Sequence, residues 1–201
     1  MGETEVTVGA FLKFARVTGR PVPSPPRIAG QVFNENWASA DFPMVMVDWR
    51  DASDFCQWEG GRLPGEFEWE YAARAGTAGP AYGPLDSIAW FGDNSGPRAV
   101  DAASLWTDQA RKVWVRYERT IVEQGLTVHA VGQKTANDFG LHDMLGNVVE
   151  WTADNYSPNG IEKSVRGGAW GFVGPLRVSQ RDRYVPTMRN GYLGFRCVIS
   201  P

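Results

Sequence analysis

Residues 165–197, VRGGAWGFVGPLRVSQRDRYVPTMRNGYLGFRC, decide how this chain folds. The stretch holds Arg166, Arg177, Arg181, Arg183, Arg189 and Arg196, and glycine at 167, 168, 171, 174, 191 and 194, with no helical period among its aromatics. Glycine permits left-handed backbone and close approach of other chain. Arginine supplies a planar fork of donors that pins carbonyls and carboxylates. Together they predict long loops between short strands, fixed by side-chain hydrogen bonds rather than by ladders, so that a surface is specified on irregular backbone.

The rest of the chain agrees with a loop-rich fold. Its 201 residues are enough to bury a real core. Nine tryptophans and 23 glycines point to loops braced by large rings. A formal charge of only -3 gives no sign of a polyanion footprint, and no nucleic-acid partner is expected. No apolar run is long enough to span a membrane, and the opening MGETEVTVGAF has neither the basic start nor the hydrophobic segment of a signal peptide. The two cysteines, Cys56 and Cys197, are too few for a structural zinc site. From the residues alone, buried free thiols and a disulfide both stay open, the latter needing an oxidising compartment.

Three helices and an insertion are legible. Thr7 caps a helix that ends at Gly19, with Val8, Phe11, Leu12 and Ala15 at helical spacing. PVPSPP at 21–26 forbids helix. Residues 43–47 read as a short strand running into Asp48, which caps a second helix that lasts until Gly60-Gly61. A third helix covers 66–75, with Trp69, Ala72 and Ala73 on one face, acids at its start and Arg74 at its end. Over 101–124, Trp106, Ala110, Val113, Trp114, Tyr117 and Ile121 form the clearest helical stripe in the chain. That stripe docks either on its own domain or on a partner. Residues 128–151 read as turns.

Four blocks, GGRLPGEFEWEYAAR (60–74), NDFGLHDMLGNVVEWTAD (137–154), VRGGAW (165–170) and LGFRC (193–197), resemble in order and spacing the formylglycine-generating-enzyme, or sulfatase-modifying-factor, family. The resemblance covers nearly the whole chain except about 97–126, which is read as a helical insertion. It implies an α+β, C-type-lectin-like fold: one loop-rich domain over 1–201 with small twisted antiparallel sheets and two or three helices. It also implies that further strands precede such a chain in the family, so that 1–201 is a fragment or a C-terminal part. Gly65 stands where the family usually has Thr before the third helix.

The resemblance also locates a loss. The family's oxidases place two copper-binding cysteines shortly after the RGG motif, and those places align here with Phe172 and Arg177. No copper is therefore expected. Cys56 and Cys197 instead match a structural disulfide of some members, which makes their sulfurs neighbours and favours an extracytoplasmic location. Asn147, Val148 and Glu150 sit in a loop that resembles a calcium-binding loop, and its oxygens suit a hard cation; bracing of the loop through backbone amides is the alternative. His129 and His142 read as partly buried structural histidines rather than as members of an iron site. No Ser-His-Asp order, phosphate loop or paired-carboxylate motif stands out.

In this fold the tail forms a loop-built face whose exposed members are expected to be Gly171, Phe172, Val173, Gln180, Asp182, Tyr184, Val185, Met188, Asn190, Gly191 and Tyr192. The arginines, with Trp170 and Pro186, stand between them as scaffold. Arg177, Arg181, Arg183, Pro186, Thr187, Arg189, Asn190, Gly194, Phe195 and Arg196 also resemble the fixed positions in variable proteins of diversity-generating retroelements. Mixed Tyr, Phe, Asp and small residues suit an adaptable binding face. The expected function is a non-catalytic domain that binds a small molecule or protein through this face. A divergent metal-dependent modifying enzyme, and a structural subunit docked through 101–124, are the alternatives.

Overall fold

The computed structural model describes residues 1–106 and 114–199. Helix α1 (Val8–Thr18) starts where the Ala10 amide donates to Thr7 and stops at Gly19 in left-handed backbone. Its buried face is Val8, Phe11, Phe14 and Ala15; Phe14 takes the place expected for Leu12, which is half-buried. Helix α2 (Trp49–Trp58) is capped by Asp48, which accepts from the Asp51 amide at 2.9 Å. Helix α3 (Glu66–Arg74) begins at Gly65, which has no side chain to cap it. The missing acceptor comes from elsewhere in the chain: the Glu66 amide donates to the Asp154 carboxylate at 2.6 Å.

The sheets are small. β1 (Arg27–Ile28) and β2 (Gln31–Val32) form a hairpin, and β3 (Ala89–Trp90) pairs with β4 (Leu145–Gly146). The main sheet has the order β7 (Arg181–Tyr184), β6 (Lys163–Arg166), β5 (Val149–Asn155), β8 (Leu193–Gly194). β5–β6 and β6–β7 are antiparallel as expected, whereas β3–β4 and β5–β8 are parallel. Such two-residue pairings need no crossover helix, because long loops deliver distant chain to them. The strand expected over 43–47 does not form. Pro43 lacks an amide and Met46 is left-handed, so the segment makes single bonds instead, from Met44 to Val6 and from Met46 to Asn190.

The 101–124 segment is not one helix. Beyond α4 (Leu85–Ile88), α5 (Ala102–Leu105) is capped by Asp101 and ends at Trp106, whose ψ of 72° is not helical. Helix α6 (Trp114–Glu123) follows; Ala110 and Val113 of the stripe lie outside the described residues. Tyr117 and Ile121 are fully buried in the larger core cluster with Phe11, Phe55, Trp151 and Trp170, so α6 docks on its own domain. A second cluster packs Trp69, Ala72 and Ala73 of α3 against Met144 and Leu176. Trp69, Trp151 and Trp170 have no exposed surface; each such ring contributes roughly 4–6 kcal/mol of burial as an upper estimate. Cys56 on α2 is disulfide-bonded to Cys197, with Cα atoms 5.4 Å apart. No helix among the described residues is long and apolar enough to cross a membrane.

Candidate functional site

The tail arginines act as struts. Arg196 has no exposed surface; it donates to both Glu150 oxygens at 2.7–2.9 Å and to the carbonyls of Gly2, Glu3 and His142. Arg166, also buried, donates to the Val178 and Gln180 carbonyls and pairs with Glu70 and Glu66, anchoring β6 to α3. Arg181 grips Glu66, Arg183 pairs with Glu162, and both guanidiniums lie over the Tyr156 ring. Arg189 bridges Asp48 and Asp51 at 2.6 Å each. Burial raises the Glu66 carboxyl, but hydrogen bonds and charge from Arg181 and Arg166 outweigh it and hold the group below its ordinary range.

These struts hold one side of a cleft of about 930 Å³. From the tail it is lined by Phe172, Val173, Asp182, Tyr184, Asn190, Gly191 and Tyr192, together with Arg189. Met46 and the 24–28 loop form its floor and rim, and Trp106, Trp114 and Glu118 of the insertion close the far side. The ring of Tyr192 stacks on Trp170 at 4.9 Å and meets Trp114 edge-on at 6.0 Å; Phe172 lies 6.5 Å from it. Trp106 meets Trp114 at 5.6 Å and 66°. The Trp114 indole N–H donates to Glu118 at 2.7 Å. Burial, then the nearby Glu118 charge, pushes the Tyr192 phenol well above its ordinary pKa.

Seven of the eleven expected face residues thus share this cleft. Gly171 is buried instead, its carbonyl taking the Tyr117 hydroxyl, and a Cβ there would stand 2.8 Å from Ile121. Gly191 and Tyr192 are buried too, although they line the cleft. Gln180, Val185 and Met188 are not among its lining residues. The residues missed from the sequence were Met46, the 24–28 loop, Trp106, Trp114 and Glu118. The two tryptophans were visible as part of a stripe, but a stripe cannot show that its outer rings turn towards the tail.

In the loop resembling a calcium site the side-chain oxygens already have protein partners. Glu150 accepts from Arg196 with both oxygens and from the Trp69 indole at 2.7 Å. The Asn147 carbonyl accepts the His129 amide while its NH₂ donates to Glu5 and the His129 carbonyl; Val148 is buried in the core. A calcium ion would have to displace a guanidinium, so these side chains as arranged do not fit one. Neither do the residues fit thiolate-bound copper: Phe172 and Arg177 hold no sulfur, and both cysteines of the chain are bonded to each other. His129 lies flat on Trp90 at 3.8 Å and donates Nε2–H to the Ser95 carbonyl, and burial lowers its pKa. His142 donates Nδ1–H to the Lys134 carbonyl. Among the described residues no three His, Cys, Asp or Glu side chains gather as a metal site.

Known proteins agree with this architecture. The chain is 35% identical over 171 residues to the inactive C-alpha-formylglycine-generating enzyme 2 of Mus musculus, covering 80% of this chain and 50% of that protein. It is 33% identical over 174 residues to the formylglycine-generating enzyme of Streptomyces coelicolor, covering 77% and 52%. The chain therefore spans about half the length of the curated relatives it matches. Among solved structures, PvdO from Pseudomonas aeruginosa superimposes with a TM-score of 0.64 at 26% identity, covering 96% of this chain and 77% of that one. Variable protein 1 of Treponema denticola shares the fold, with a TM-score of 0.67 at 24% identity and coverage of 98% and 82%. The sulfatase-modifying factor enzyme 1-like domain model matches residues 1–201, and the chain belongs to that family.

Proposed function

We propose that this domain is a non-catalytic binding member of its family and takes its ligand in the cleft between the C-terminal face and the insertion. The observation that carries this reading is the replacement of sulfur chemistry by an aromatic wall. Where the resemblance puts an oxidase cysteine, Phe172 lines the cleft with Tyr192, Tyr184, Trp106 and Trp114. The second such position, Arg177, is exposed and is not among the lining residues. A concave, largely aromatic site with a few polar groups on a rigid frame is the usual form of a ligand pocket. The disulfide supports an extracytoplasmic location.

A fragment library screened by ¹H–¹⁵N NMR tests the reading. Shifts are expected at the Trp106 and Trp114 indoles and at amides near 172, 184 and 192. Hits confined to other surfaces would refute it. Incubation with copper and a cysteine-containing peptide should yield no formylglycine by mass spectrometry. Retroelement diversification is a separate reading, tested by looking beside the gene for a reverse transcriptase and a near-copy of the DNA encoding 171–192.

A further inference from the structure

Resting on the reading of the cleft as a ligand site, we propose that its occupant is a small organic cation with an alkylated ammonium head, seated among Trp106, Trp114, Phe172 and Tyr192 and faced by Glu118. Trp114 meets Trp106 at 66° and Tyr192 at 69°, and Phe172 is inclined 47° to Tyr192. Rings that share a cleft and meet at steep angles form a corner rather than a stack, and such corners attract cations through the negative faces of their π systems.

The charges point the same way. Glu118 is half-buried, is oriented by the Trp114 indole, and makes no ion pair among the described residues. Asp182 adds a second carboxylate to the lining. Of the two lining arginines, Arg189 is already neutralised by Asp48 and Asp51. Arg27 is exposed and donates to the Gly30 carbonyl of its own hairpin. An anion would meet two carboxylates and one rim arginine, whereas a cation finds its countercharge beside the aromatic corner. Glu118 also stands beside the Tyr192 hydroxyl, which is buried on a residue only 5% exposed. Burial, then the Glu118 charge and a hydrogen bond with Glu118, raise this phenol above its ordinary range.

Choline and its neutral isostere 3,3-dimethylbutanol, titrated into the intact, disulfide-bonded chain, separate the alternatives. Choline is expected to shift the Trp106 and Trp114 indole N–H signals and to bind about tenfold tighter than the isostere. Glu118→Gln should bring the two to within about twofold, and this half-exposed substitution leaves the core untouched. Trp114→Ala should abolish the shifts. Equal binding of the isostere to the same indoles would overturn the cation while leaving the cleft as an apolar ligand site. Silence of both probes at the indoles would overturn the cation and count against the cleft itself. Shifts with a trimethyllysine peptide but not with choline would overturn the small-molecule proposal in favour of a protein partner.

Discussion

Arg196 and Glu150 face each other with no exposed surface on either side chain, and Glu5 and Asp143 stand close enough to act on the same guanidinium. Burial, then the neighbouring acids, pushes the Glu5 carboxyl well above its ordinary range; burial likewise raises Asp143. One cation thus offsets a carboxylate that would otherwise be stranded in the core. Arg196→Leu should cost about 3–5 kcal/mol, because removing one partner of a buried pair leaves the other uncompensated. Urea unfolding at neutral pH measures it, and a loss under about 1 kcal/mol would show that the buried pair contributes little net stability. Gly146 is set by backbone alone: at φ of 80° an added Cβ would stand 2.2 Å from the Trp90 carbonyl oxygen. Left-handed strain costs roughly 1–2 kcal/mol for an L-residue, and this clash with backbone adds to it. Gly146→Ala should therefore lose more than about 2 kcal/mol in the same experiment.

At the scale of elements, α3 is clamped to the main sheet by Arg166 and Arg181 acting on Glu66 and Glu70. Burial raises the Glu70 carboxyl, but Arg74 and Arg166 outweigh it, so both glutamates are held below their ordinary pKa when folded. A carboxylate depressed in the native state contributes stability above its unfolded pKa and loses it as pH falls through the folded one. Unfolding free energy should thus drop below about pH 4.5, and Glu66→Gln should flatten that limb while lowering stability at pH 7. An unchanged acid limb would mean that Glu66 does not set it. The helices of this clamp were legible because caps and stripes are local: Thr7, Asp48 and the Trp69 face needed only their neighbours. The pairings β3–β4 and β5–β8 were not, because two residues carry no period and their partners lie 56 and 44 positions away in the register Ala89–Leu145 and Val149–Leu193. The break at Trp106 was hidden for a related reason: the stripe continues in sequence while the backbone turns. The tail side of the cleft was legible through its alternation of struts and face residues. Its opposite wall depends on where the insertion folds back, and helical spacing does not encode that.

Across the whole molecule, the last residues are tied to the first and to α2 by several links. Cys197 is bonded to Cys56 across 141 positions, its carbonyl accepts the Gly2 amide, and Val198 bridges Arg62. Phe195 accepts the Val6 amide, and Arg196 reaches Gly2 and Glu3. The disulfide therefore reinforces a closure that hydrogen bonds also make. The loop-entropy model assigns a crosslink of this span about 5 kcal/mol, and native disulfides commonly deliver about 2–5. Cys56→Ser with Cys197→Ser should lower stability within that range and reduce the melting temperature by roughly 5–20 °C, at ~2–4 °C per kcal/mol for a chain of this size. Because the hydrogen-bonded ties and the arginine struts survive the change, the variant should still fold at 20 °C. Its Trp106 and Trp114 indole signals should keep their positions, since the cleft lies on the other links. Calorimetry of the oxidised, reduced and doubly substituted chains decides the matter. A drop near zero would assign the closure to Arg196 and its carbonyls, whereas loss of the indole signals at 20 °C would show that the cleft itself depends on the crosslink.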